Sequence, residues 1–162
     1  MQIVQLGLRG LQFLLTLFIL ALTGNVIAEA FAGNHSIINY IMFVAVFAML
    51  SLLYLIGAAI IESVAIPLAM LALDALNTLL FLIGGIALAA YMGVHSCSNG
   101  GYVLTNKITN GSNNPSKRCR EMQAVCAFLW FGFAAWAASL GLSALASRGG
   151  GTSGLRRGPG KV

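Results

Sequence analysis

Four long runs of apolar residues, separated by polar connections of unequal length, dominate this chain. They extend from about Leu6 to Val26, Ile37 to Ile61, Ile66 to Met92 and Met122 to Ala146. Each is long enough for a helix to cross a bilayer core of about 30 Å, which takes roughly 20 residues. Leu, Ile, Ala, Phe and Val make up most of every run, without polar alternation. Inside lipid only helices and closed barrels satisfy their own backbone, and a barrel strand alternates in polarity. The pattern therefore predicts an all-α membrane protein, a four-transmembrane-helix bundle over residues 1–147.

The first run also has the outline of a secretion signal. Arg9 precedes the apolar stretch Leu11 to Leu22, and Ala28, Ala30 and Ala32 could mimic a cleavage site. The expectation is a retained span. The first link, Ile27 to Ser36, is short and polar, with Glu29, Asn34 and His35. The second, Glu62 to Ala65, is barely a turn, and Pro67 after it suits the first turn of a helix. The third, Gly93 to Glu121, is the one sizeable loop. The tail from Arg148 to Val162 is rich in glycine and basic residues and reads as a flexible linker.

Composition agrees with a bilayer. Charged residues are only 8% of the chain and apolar ones 59%, whereas soluble domains carry about 25% charged residues. The net charge of +5 does not imply nucleic acid. Arg118 and Arg120 flank a cysteine in a loop, and the other cluster is the tail, so no basic face with stacking aromatics is offered. Anionic lipid headgroups suit Arg148, Arg156, Arg157 and Lys161 better, at about 1 kcal/mol per basic residue near the surface.

Charge counting does not orient the bundle. Arg9, Arg148, Arg156, Arg157 and Lys161 lie at one end, and Lys107, Lys117, Arg118 and Arg120 at the other. Two glycosylation sequons, at Asn34 and Asn110, fall in the first and third links, and so share a side. Cys97 and Cys119 lie there too, as an oxidising compartment would favour. Both termini are therefore expected in the cytoplasm.

A disulfide between Cys97 and Cys119 is expected, closing a loop of about 22 residues for about 3 kcal/mol. The loop is full of Asn, Gly and Ser and needs a staple. The alternative is a metal site with His95, but two Cys and one His make a poor structural zinc set, so no metal is expected. Cys126, one turn inside the fourth span, reads as a plain buried thiol.

Asp74 stands inside the third span, about 10 Å from its near end. A carboxylate there is costly and needs a partner facing the bundle interior. Arg9 is the natural candidate, and Asn77, one turn along, could join them. The bland reading is an interhelical structural pair. The functional one is an ion or lipid-headgroup site. Small residues Ala134, Ala137, Ala138 and Gly141 on the fourth span and Gly84 and Gly85 on the third permit close helix approach, within a chain or between chains. No nucleophile–base pair, phosphate-binding glycine loop or H-E-x-x-H motif is present, and no enzyme is expected. No cofactor is expected either, beyond bound lipid or sterol.

Several stretches resemble a known family. They are Leu8-Arg9-Gly10-Leu11-Gln12-Phe13, Leu73-Asp74-Ala75-Leu76-Asn77, His95-Ser96-Cys97-Ser98-Asn99, Tyr102-Val103, Asn106-Lys107-Ile108-Thr109, Arg118-Cys119-Arg120, Gln123-Ala124 and Ala127-Phe128-Leu129. Together they are similar to the fungal non-classical export protein 2 family, within the MARVEL-domain superfamily. The polar loop carries most weight, since shared hydrophobicity cannot produce it. The resemblance implies a four-helix MARVEL bundle with cytoplasmic ends, in furrow-like, eisosome-associated plasma-membrane domains. It implies response to sphingolipid levels, a link to export of proteins lacking signal sequences, and eisosome scaffold proteins as partners.

The expected function is thus a non-enzymatic membrane organiser, acting as a homo-oligomer through lateral assembly and lipid contact. The alternative is a small transporter or channel with Asp74 as the ion-handling group. Against it, only Gln12, Asn39, Ser51, Asp74, Asn77 and Thr78 interrupt the spans, too few and too scattered for a wet route.

Overall fold

The structure, a computed structural model, describes residues 2–31 and 33–151, with side chains at 3–31, 33–61 and 63–145. The expected headgroup contacts Arg148, Arg156, Arg157 and Lys161 lie outside the described side chains. Helix α1 spans Gln2–Ala28, α2 Ser36–Ile60 and α3 Pro67–Met92. A 3-10 turn at Glu62–Val64 joins α2 to α3. Within the loop a short helix, α4, covers Gly100–Thr105, and α5 runs from Pro115 to Gly151. Four of these helices are long and apolar enough to cross a membrane, and no strand occurs among the described residues.

Local chemistry explains the ends. The His35 side chain accepts from the Ile37 N–H and starts α2. Pro67 opens α3, where its missing N–H is no loss. At Gly93 the backbone turns to φ 59°, a conformation glycine adopts freely, and α3 stops. Asn99 caps α4 through the Tyr102 N–H.

Two boundaries differ from the hydrophobic pattern. Helix α5 begins at Pro115 rather than Met122, because a helix continues above the lipid wherever its backbone bonds are made, whatever the polarity of its side chains. It also runs on to Gly151, into the expected tail. The third link contains α4, which polar residues had disguised.

The four spans form a ring. α1 packs on α2 and α5, and α3 packs on α2 and α5. α1 and α3 therefore face each other across one diagonal, and α2 and α5 across the other. Ile19, Ile38, Ile41, Leu52, Leu55, Phe81, Leu88, Leu129 and Trp136 fill the centre. Leu14, Phe43, Leu53, Leu79, Ile83 and Phe131 point outward, as lipid-facing residues should.

Glycines set how closely α3 and α5 approach. Any Cβ at Gly132 would collide with the Phe81 ring, and one at Gly85 would stand 3.3 Å from Trp130. Gly84 packs on Leu129 and Tyr40. Ala134, Ala138 and Gly141 instead lie on the exposed side of α5.

Candidate functional site

Arg9, Gln12, Thr16, Ile19, Thr23 and Val26 recur at three- and four-residue spacing on α1, and all are buried. The inner stripe of this span is thus largely polar. On α3 the matching stripe carries Asp74, Asn77, Thr78 and Phe81. Where the two stripes meet, Arg9 donates from Nη1 to Asp74 Oδ1 at 2.5 Å and from Nη2 to Oδ2 at 2.8 Å. Arg9 is 1% exposed and Asp74 fully buried, so the pair is sealed from solvent on every side. This parallel, two-bond geometry is the strongest that a guanidinium and a carboxylate can make.

Neighbours from α1 and α5 complete the cluster. Arg9 Nη1 also donates to Gln12 Oε1 at 3.1 Å. Gln12 Nε2 donates onward to Ser139 Oγ at 2.9 Å and to the Ala135 carbonyl at 3.0 Å. Ser143 Oγ donates to Asp74 Oδ2 at 3.1 Å. The Arg9 guanidinium also lies 5.7 Å from the Trp136 ring centroid, within reach of cation–π attraction. Asn77 stays apart from the pair, contrary to the sequence expectation. Its Nδ2 bonds the Leu73 carbonyl of its own helix, and its Oδ1 has no partner.

At the far end of the bundle a polar cap closes the spans. Cys97 and Cys119 form a disulfide with Cα atoms 5.6 Å apart, an ordinary span for such a bridge. The His95 ring stacks on Tyr102 at 4.5 Å, and the Tyr102 hydroxyl donates to the Met92 carbonyl. Burial pushes the Tyr102 phenol up from its ordinary value. Asn106 Nδ2 reaches the Tyr91 carbonyl at 2.9 Å, and Thr109 Oγ1 the Val103 carbonyl at 2.7 Å. Cys126, expected to be buried, is only half-buried.

Arg118 ties this cap to the bundle. Its Nε donates to the Ile108 carbonyl at 2.7 Å, Nη1 to the Val26 carbonyl at 2.8 Å and Nη2 to Asn34 Oδ1 at 2.9 Å. Three separate segments thus hang on one guanidinium. The sequence held a signal for it. Met122, Val125, Leu129 and Gly132 mark the inner stripe of α5, and stepping back one turn from Met122 lands on Arg118. Beside it Lys117 pairs with Glu29, and the ammonium's hydrogen bond holds the Glu29 carboxyl below its ordinary value. Asn25 Nδ2 bonds Glu121 Oε1 at 2.7 Å. Of the two sequon asparagines, Asn110 is exposed, and Asn34 has its carboxamide oxygen on Arg118.

The model of a membrane-associating domain family, MARVEL, matches residues 2–142. The chain belongs to the MARVEL family. Its relatives are fungal. It is 41% identical over 99 residues to "Non-classical export protein 2" of Saccharomyces cerevisiae, a match covering 60% of this chain and 56% of that one. The chain thus spans little more than half the length of that relative. It is 32% identical to the Schizosaccharomyces pombe homolog, covering 81% of this chain and 71% of the relative. With "Non-classical export protein 102" of Candida albicans it shares 35% identity, over 88% of this chain and 84% of the relative. No solved structure matches.

For a MARVEL protein the two polar centres differ in chemical character. The Arg9–Asp74 cluster is a charge-neutral network of hydrogen bonds that joins α1, α3 and α5. The cap is a scaffold of carbonyl contacts and one covalent staple. No group of three His, Cys, Asp or Glu side chains that could hold a metal ion occurs among the described residues.

Proposed function

We propose that this MARVEL protein is a non-enzymatic organiser of membrane domains that works by lateral assembly and lipid contact. One observation carries the reading. The charged pair midway between the spans is spent on itself, Arg9 on Asp74, while large apolar side chains cover the lipid-facing surface. Such a molecule has surface to offer to lipids and to its own copies, and its central carboxylate is already held by a guanidinium. The names of the fungal relatives extend the reading to unconventional protein export. In the same reading it resides in the plasma membrane with both termini cytoplasmic, in furrow-type, eisosome-associated domains that respond to sphingolipid.

The test is native mass measurement of the full chain in mild detergent. Several copies with retained lipid support the proposal. A lone, lipid-free chain overturns it. Ion flux in liposomes that Asp74→Asn abolishes would establish the transporter instead.

A further inference from the structure

Among the described residues the bundle buries two arginines, and they are not alike. Arg9 has a carboxylate of its own. Arg118 is 2% exposed, and its three hydrogen bonds go to two backbone carbonyls and one carboxamide, all neutral. A guanidinium has five N–H donors, so two are unused. Glu29 and Glu121 lie in its neighbourhood and favour its charge from a distance, but Glu29 bonds Lys117 and no carboxylate comes within 4 Å of Arg118 among the described residues. A buried charge without a carboxylate in direct contact is costly, because distant charges only partly repay its lost hydration.

Arg118 borders a cleft of about 410 Å³, roomier than a single halide ion requires. Its lining is cationic and donor-rich. Lys107 is exposed and makes no ion pair among the described residues. His35 accepts the Ile37 N–H at Nδ1, which leaves its ring proton on Nε2 as a donor. Asn34, also on the lining, spends its oxygen on Arg118 and not its amide hydrogens. At Gly111 a Cβ would stand 3.5 Å from the guanidinium carbon, so glycine leaves that face uncovered. No acidic side chain lines the space among the described residues.

Depth completes the picture. Arg118 and Ser143, which bonds Asp74, stand on the same continuous helix. Their separation along it is about 37 Å at ~1.5 Å per residue, against a hydrocarbon core of about 30 Å. Arg118 therefore lies toward the end of the bundle opposite to Asp74.

We propose that this cleft binds a phosphate oxyanion, with Arg118 as its buried anchor and Lys107 and His35 as its outer donors. The same chemistry is offered by a phospholipid headgroup and by free phosphate. The inference goes beyond the organiser reading and does not depend on lateral assembly.

The experiment uses the full chain in nanodiscs. Inorganic phosphate is titrated into neutral phosphatidylcholine discs by calorimetry, and retained phosphatidic acid is counted by native mass spectrometry from mixed discs. Arg118→Lys tests the anchor directly but removes bonds that hold the cap. Lys107→Glu keeps the test sharp, because Lys107 supports nothing in the fold. Arg120→Glu, an exposed cation outside the cleft, is the control. The expected result is binding of at least one probe, weakened tenfold or more by Lys107→Glu and unchanged by Arg120→Glu. Phosphate binding in neutral discs assigns the site to a soluble anion, and retention of phosphatidic acid alone assigns it to a headgroup. Equal loss in both variants, or no binding of either probe, overturns the proposal.

Discussion

Arg9 and Asp74 meet across the diagonal of the bundle, joining two helices that do not pack on each other directly. A charge pair in that position acts as a strut. Losing one partner strands the other in a medium that cannot solvate it, at a cost of about 3–5 kcal/mol for a buried pair. Arg9→Ala and Asp74→Ala should each lower the melting temperature and the yield of monodisperse protein. The double variant should lose less than the sum of the two. Exchanging the residues, Arg9→Asp with Asp74→Arg, should recover part of the loss. Additive losses with no recovery would show that the contact carries no coupling.

The disulfide should matter mainly for the cap. Cys97→Ser should cost about 3 kcal/mol, the chain-entropy value for a loop of this length. Proteolysis of the segment between Cys97 and Cys119 should quicken before the spans melt. In the unreduced protein a maleimide should label Cys126 alone, since it is the one cysteine outside the bridge. Labelling of all three in denaturant without reductant would rule the bridge out.

Two glycines on α5 make a matched comparison. Gly132→Ala drives a methyl into the fully buried Phe81 ring and should destabilise by about 1–3 kcal/mol. Gly141→Ala meets nothing within 4 Å and should be neutral or stabilising, by up to about 1 kcal/mol from helix propensity. Thermal melts of the two variants side by side check the contrast. A harmless Gly132→Ala would mean that α3 and α5 are free to separate.

Glu29 sets a pH dependence of known sign. Its folded carboxyl titrates below the unfolded value of 4.5 because Lys117 hydrogen-bonds its charged form. Its stabilising contribution is therefore complete above pH 4.5 and fades as pH falls through the lowered folded value. The pair is well exposed, so the effect is small. Wild type and Glu29→Gln should differ in melting temperature at neutral pH and converge in acid. A difference that widens in acid would contradict the assignment.

Much of this architecture was legible because lipid is an unforgiving solvent. A run of apolar residues that long has no other stable place, and a carboxylate inside it requires a cation, which made Arg9 the partner to name. Polar residues were harder to place. Lys117 and Arg118 resemble loop residues by composition, yet they form the first turn of α5, since a helix above the lipid may carry any polarity. Asn77 looked like a third member of the pair. Its own helix offered the Leu73 carbonyl at shorter range and took the amide instead.

The sequence by itself determined that the chain crosses a bilayer four times, that a stapled polar loop closes one end, and that one buried carboxylate needs a cation. The crossings and the need for a cation follow from transfer free energies, which depend on residue type alone, and the staple from two cysteines in one polar loop. Only the tertiary structure decided that α1 and α3 stand on a diagonal, that Gly132 rather than Gly141 is a packing site, and that Arg118 is buried on neutral acceptors. Each of these depends on which helix faces turn toward one another, and an apolar span looks alike on all its faces until its neighbours are in place.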